Sequence, residues 1–302
     1  MESKILKAFR YFYCKKTDAT VEILDTEKVE GVNRLLIGYE TEKGEKVRSF
    51  LFLPETKEKV PLAVALHSHD FDYSIGKSEV AGYRGDALKA YGKFFAQKGF
   101  AVICPDFLCF ESRRELPFNL PENAHNDDDE KNRASYLMYD GSSLCAKALN
   151  DAVKAIDASL TFDCVDENRV FSVGYGTGGR IAMLLVLADQ RVKGYLSFES
   201  AMLVSERKKN YQNIDCMSVF PGMLPDCDYD KIFASVAPKF GYISVSEETC
   251  SDQEYEKIVR CAQDSYKKSG GIFHAEFCKD VSKCLDYEKA FCFLKDTEIL
   301  NQ

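Results

Sequence analysis

Between Arg169 and Val186 the chain reads Arg-Val-Phe-Ser-Val-Gly174-Tyr-Gly176-Thr-Gly178-Gly179-Arg-Ile-Ala-Met-Leu-Leu-Val. A β-type apolar run, a tight cluster of glycines and an apolar helical run follow one another. That is the setting of a Gly-x-Ser-x-Gly turn, in which a strained strand-to-helix corner lifts a serine hydroxyl above a sheet to attack an acyl carbon. Gly174 and Gly178 keep the spacing, but Gly176 stands where the serine belongs. Acyl transfer needs an activated oxygen or sulfur and a base within hydrogen-bond reach to take its proton. Glycine has neither atom, so the turn reads as the scaffold for this chemistry without its reactive group.

Neighbouring residues offer other chemistry. Thr177 could attack only with a base beside it, and in the first turn of a helix its side chain points away from the substrate side. Cys145 lies in a helical apolar stripe, where a buried thiol is an inert packing group. His67 and His69 are two apart on an extended segment and could face one side as metal ligands. Without a third or fourth ligand nearby, the better reading is that His67 ends a buried strand and supports the next loop while His69 lines a pocket mouth. Gly174-x-Gly176-x-x-Gly179 is also a literal dinucleotide fingerprint, with Glu199 placed to take a ribose hydroxyl. Its place in mid-chain, after other strand–helix units, argues against that use. Asn126-Asp-Asp-Asp-Glu130 reads as a solvated loop. Asp226, Asp228 and Asp230 read as a helix start, where carboxylates suit the positive end of the dipole. Neither a cofactor nor a metal is expected.

The elements around this turn follow from periodicity. Residues 20–30, 32–41 and 46–54 alternate as strands, with turns at Gly31 and Lys43-Gly44. Residues 61–67, 100–106, 194–200, 240–246 and 273–278 are short apolar runs, as expected of strands buried on both faces. Leu88, Tyr91, Phe94 and Phe95 mark a helix ending at Gly99. Leu144, Ala148, Leu149, Ala152, Val153, Ile156 and Leu160 mark a second. Ser251-Asp-Gln-Glu254 is a capping box before a third, and Tyr287, Ala290, Phe291 and Leu294 mark the last. Buried strands alternating with helices predict an α/β fold with a mostly parallel sheet, covered on both faces and edged by antiparallel N-terminal strands.

At 302 residues the chain can bury a large core in one domain, and a single domain over 1–302 is expected. Within it, 1–55 would form the N-terminal strands and 111–140 an irregular insertion able to act as a lid. The net charge of −8 argues against nucleic acid, which needs a concentrated basic surface. No apolar run is long enough to cross a bilayer, and the first residues lack the apolar region of a secretory signal. The twelve cysteines include no Cys-x-x-Cys pair. They read as reduced, mostly buried groups of a cytoplasmic protein.

Several stretches carry a resemblance. They are Ala65–Asp70, Gly76–Glu79, Ala90–Asp106, Arg113-Arg114, the glycine turn, Phe220-Pro-Gly-Met223 and Glu288–Leu294. In that order the chain resembles the α/β-hydrolase superfamily, nearest to its dienelactone hydrolase and acetyl xylan esterase-like branch. The resemblance implies a serine, an acid and a histidine in chain order. The serine position falls on Gly176. The acid falls by register on Thr249, with Glu247 and Glu248 close by. The histidine falls on Lys283, with Val281 the alternative. No histidine follows His274, which lies inside an expected strand. The resemblance also implies an oxyanion hole built from backbone N–H groups of Thr177 and the His69–Asp70 loop, with His67 supporting it. Such a remnant leaves roughly 10³–10⁴-fold over water in triad enzymes. The expected function is that of a pseudoenzyme related to carboxylic ester hydrolases, keeping a pocket for a small ester- or carbohydrate-like ligand or a protein partner. The alternatives are an active hydrolase with a displaced, non-serine site, and dinucleotide binding at the glycine turn.

Overall fold

A computed structural model describes residues 20–42, 44–114 and 127–300. Lys43, Asn126 and the rest of 115–126 in the expected insertion lie outside the described residues, as do 1–19 and 301–302.

Strands β1 (Val21–Val29), β2 (Val32–Glu42) and β3 (Glu45–Leu53) form an antiparallel meander. Glu30 and Gly31 join the first two with φ of +48° and +89°. Two consecutive positive φ values make the tight hairpin turn whose twist matches its strands. β3 then pairs antiparallel with β5 (Ala101–Pro105). The remaining strands, β4 (Val60–Leu66), β6 (Val165–Tyr175), β7 (Val192–Phe198), β8 (Phe240–Ser246) and β9 (Phe273–Cys278), run parallel with β5. Among the described residues the sheet order is β1-β2-β3-β5-β4-β6-β7-β8-β9.

The helices are α1 (Lys77–Val80), α2 (Tyr91–Gln97), α3 (Asp127–Tyr139), α4 (Leu144–Ser159), α5 (Thr177–Ala188), α6 (Val204–Lys209), α7 (Tyr229–Ser235), α8 (Asp252–Ser269), α9 (Val281–Cys284) and α10 (Tyr287–Leu294). Alternation along β4 shows how two cores arise. Leu62, Val64 and Leu66 enter one face with residues of α4 and α5, while Ala63 and Ala65 enter the other with residues of α2 and α10. The capping box before α8 is formed, with the Ser251 hydroxyl and the Glu254 carboxylate each taking the other's backbone N–H.

Two sequence expectations change. Leu88 is not part of the α2 stripe; it lies in a separate 3-10 turn, Ala87–Lys89, and is 54% exposed. The acidic run is not a solvated loop over its described part: Asp127–Glu130 opens α3, and Glu130 is buried. The carboxyl ends of β4, β5, β6, β7, β8 and β9 all reach one sheet edge, where open α/β sheets place their ligands.

Candidate functional site

Gly176 sits between the end of β6 and the start of α5, with φ +54° and ψ −119°. Its N–H bonds to the Phe198 carbonyl at 2.8 Å, pinning the corner to β7. L-residues seldom hold this backbone, and such strain gathers at functional sites. The flanking glycines have a different cause. A Cβ on Gly174 would lie 2.3 Å from the Gly178 carbonyl carbon, and one on Gly178 would lie 2.0 Å from the Leu66 oxygen. On Gly179 it would meet the Ser197 hydroxyl at 2.7 Å. These glycines let α5 pack directly on its sheet. At Gly176 the first obstacle is the Ser68 hydroxyl, 2.8 Å away, which can rotate. So a small side chain at the apex would displace one hydroxyl and no backbone, and the sequence supplies none.

Around the apex lies the loop after β4. The Ser68 hydroxyl donates to Asp70 Oδ1 at 2.7 Å, and Lys89 pairs with Asp70 Oδ2. The Lys89 ammonium also lies 4.8 Å from the Tyr175 ring centre. Asp70 and Phe71 both have positive φ, +43° and +56°. Burial pushes the Tyr175 phenol up, and the carboxylates of Asp70, Glu199, Asp86 and Glu248 push it further.

Both described histidines of this loop are fully engaged. His67 Nε2 accepts from the Phe107 N–H at 3.0 Å, so Nδ1 carries the proton and donates to the Ser68 carbonyl at 2.7 Å. Burial, opposed by Asp106, lowers its pKa and keeps the ring neutral. His69 Nδ1 accepts from the Phe71 N–H at 3.1 Å, so Nε2–H donates to Glu130 Oε1 at 2.8 Å. Tyr73 donates to the other Glu130 oxygen at 2.6 Å. His69 therefore does not line a pocket mouth: it is 2% exposed and faces Glu130 of α3. No ring nitrogen of this pair is left for a metal. Among the described residues, no group of three or more His, Cys, Asp or Glu side chains could hold one.

Thr177 is buried and its hydroxyl is tied into a polar cluster. Its hydroxyl donates to Asp215 Oδ2 at 3.0 Å and accepts from Arg180 at 3.0 Å. Burial alone would raise the Asp215 pKa. The Arg180 guanidinium, His69 and the Ser218 and Thr177 hydroxyls outweigh it and hold the carboxyl below its ordinary value. Cys145 is fully buried, and burial pushes its thiol well above the ordinary range. The Asp228 carboxylate starts α7 and also accepts the Val204 and Ser205 N–H groups at 2.9 Å. Asp230 lies in the first turn and pairs with Lys257 at 3.4 Å, and the Asp226 carbonyl accepts from Lys231.

The acid and base positions resolve differently from register. Thr249 follows β8, but the enclosed carboxylate at that corner is Glu199, at the end of β7 with φ +51°. Glu199 Oε2 accepts from the Ser246 hydroxyl at 2.9 Å and from the Thr249 hydroxyl. Its Oε1 is buried without a hydrogen-bond partner of the usual geometry. Glu247 and Glu248 are exposed. Lys283 is no base at this corner: its side chain is 67% exposed and pairs with Asp280 at 3.5 Å. Val281 is half-buried at the start of α9, and the group that meets Glu199 from that helix is the buried Cys284 thiol, which burial and contact with Glu199 and Cys278 push far up. Enclosed this way, Glu199 is not open to a ribose, and the fingerprint glycines serve helix packing. The available sequence signal for Glu199 was an acid closing a buried strand run, Tyr195-Leu-Ser-Phe-Glu199.

A mostly parallel twisted sheet with helices on both faces, and a glycine-framed strand–turn–helix corner at its carboxyl edge, is the α/β-hydrolase fold. A model of the dienelactone hydrolase family matches residues 77–220. Among solved structures, the chain is similar to a Bacteroides fragilis protein assigned provisionally as an acetyl xylan esterase, at 14% identity and TM-score 0.72, covering 95% of this chain and 76% of that one. It is similar to a glucuronoyl esterase from Solibacter usitatus, at 15% identity and TM-score 0.66, covering 97% and 91%. An acetyl xylan esterase from a Paenibacillus species aligns at 14% identity and TM-score 0.59, covering 98% and 92%. No curated protein sequence matches the chain. Among the described residues, no helix is long and apolar enough to cross a membrane.

Proposed function

We propose that this protein is a pseudoenzyme of the carboxylic ester hydrolase type, which keeps the scaffold of an esterase and does not turn over esters through a serine triad. One observation carries the reading: the apex residue is Gly176, in a backbone conformation that would project a nucleophile and with no atom to project. The histidines support it. His67 and His69 have both ring nitrogens engaged, and His274 pairs with Glu276 at 2.6 Å and stacks on Tyr242 at the β8–β9 edge; His125 lies outside the described residues. Among the described residues no free imidazole stands beside a hydroxyl at the apex, so proton transfer to and from the substrate has no carrier there.

The ligand that fits this reading is a small ester or carbohydrate-like molecule, the class named for the acetyl xylan and glucuronoyl esterases of the same fold. Steady-state assays with p-nitrophenyl acetate, and thermal shifts with xylo-oligosaccharides and uronate esters, test it. The expected result is a shift with a carbohydrate ligand and no sustained ester turnover. Turnover at about 1 s⁻¹ or faster, the lower end of ordinary enzyme rates, overturns it.

A further inference from the structure

We infer that Ser68 is a relocated nucleophile: its hydroxyl, held by Asp70 beside the vacant apex, takes a single acyl or phosphonyl group from an activated donor. The inference rests on reading Gly176 as an empty nucleophile position. A Cβ built on Gly176 would lie 2.8 Å from Ser68 Oγ, so the hydroxyl stands about one atom's width from where a side chain at 176 would begin. The Ser68 Oγ–H points at Asp70 Oδ1, 2.7 Å away, and Lys89 secures the other carboxylate oxygen. The serine is 8% exposed and His69 after it is buried, while Asp70 and Phe71 beyond are exposed, with Phe71 at 57%. Both also hold left-handed backbone, φ +43° and +56°, so the loop that presents the hydroxyl is strained where it turns. Beside it begins α5, whose first-turn N–H groups have no intrahelical acceptor and can receive a developing oxyanion.

The chemistry sets the class of donor. Ser68 Oγ forms a bond to the carbonyl carbon or phosphorus while its proton passes to Asp70 Oδ1. The bond to the leaving group then breaks, and its electron pair departs with that group. A carboxylate is a weaker base than imidazole and a poor relay for protonating a departing alkoxide. Donors whose leaving group departs as a stable anion, such as p-nitrophenolate or fluoride, therefore react, and simple alkyl esters do not. Removing the acyl group requires a water activated by a base near the apex. Asp70 holds the proton taken from Ser68, and among the described residues both loop histidines have their ring nitrogens engaged, so the adduct accumulates at one equivalent. Thr177 and Cys145 do not compete, one tied to Asp215 and Arg180 and the other fully buried.

The test is a fluorophosphonate probe on the native chain, read by intact mass and peptide mapping. The expected result is one adduct per chain on the peptide containing Ser68, none with Ser68→Ala, and at least tenfold slower labelling with Asp70→Asn. Mapping on the unaltered chain locates the adduct even if a variant fails to fold. No adduct, an adduct on another residue, labelling only after denaturation, or an unchanged rate in Asp70→Asn overturns the inference. Absence of labelling leaves the reading of Gly176 standing; sustained ester turnover by Ser68→Ala removes that reading instead.

Discussion

Replacing Gly176 with alanine adds one methyl group and one backbone restriction, and the cost of each can be read from the site. An L-residue at φ +54°, ψ −119° is strained by about 1–3 kcal/mol. The new Cβ would also stand 2.8 Å from Ser68 Oγ, so the hydroxyl must rotate and release Asp70. A hydrogen bond to a charged group contributes about 1.5–3 kcal/mol when buried, and about 1 here because solvent can replace it at the exposed Asp70. Together Gly176→Ala should lose about 2–4 kcal/mol, which at about 1.6 °C per kcal/mol for a chain of this size lowers Tm by about 3–6 °C. Urea unfolding followed by circular dichroism measures this directly. In a Ser68→Ala background the nearest Ser68 atom left is Cβ, 3.8 Å from the new methyl. Only the strain should then remain, so the two backgrounds should differ by about 1 kcal/mol. A Gly176→Ala loss below about 0.5 kcal/mol would refute the strained apex. Equal losses in both backgrounds would refute the Ser68 contact.

Other outcomes follow from the same geometry. Gly176→Ser alone should hydrolyse p-nitrophenyl acetate no faster than the parent, because a restored hydroxyl finds no free imidazole among the described residues; a rise of 100-fold or more, the usual yield of a general base, would mean that one is in reach. Arg180→Met should destabilise by about 3–5 kcal/mol in urea unfolding, since it leaves Asp215 buried without its counter-ion. The Asp215 carboxyl has a folded pKa held below its unfolded value. Its contribution is therefore complete above the unfolded value, about pH 4, and is lost as pH falls through the folded one. Asp215→Asn should flatten the acid limb of the stability–pH curve in that window, and an unchanged slope would contradict the assignment. Iodoacetamide at neutral pH should reach the exposed Cys292 before Cys216 and Cys250, whose thiols burial pushes up to about 11 and about 12; peptide mapping of the first alkylated site checks the order.

The sheet was readable from residues because strands buried on both faces, such as Pro61–Leu66 and Phe240–Ser246, need continuous apolar runs. The apex was readable because only glycine fits at 174, 178 and 179, where helix and strand touch. What stayed hidden depends on elements meeting across the fold. Glu130 carries the same charge as its acidic neighbours, and only the arrival of α3 over His69 and Tyr73 marks it as buried. Register counted along one strand led to Thr249 and Lys283. Thr249 does reach the corner, where it meets Glu199 from β7, and the group arriving from α9 is Cys284 rather than Lys283, because side chains from adjacent elements converge there. Leu88 matched the helical period of its neighbours, yet a 3-10 turn at Ala87–Lys89 sets it outside the helix.

Pre-steady-state release of p-nitrophenolate from p-nitrophenyl acetate tests the central claim most directly, because it separates an attacking group from a catalytic cycle. The account predicts a burst of no more than one equivalent per chain, followed by a rate equal to that of buffer with heat-denatured protein. A linear release continuing at about 1 s⁻¹ or faster, beyond the first equivalent, would contradict it.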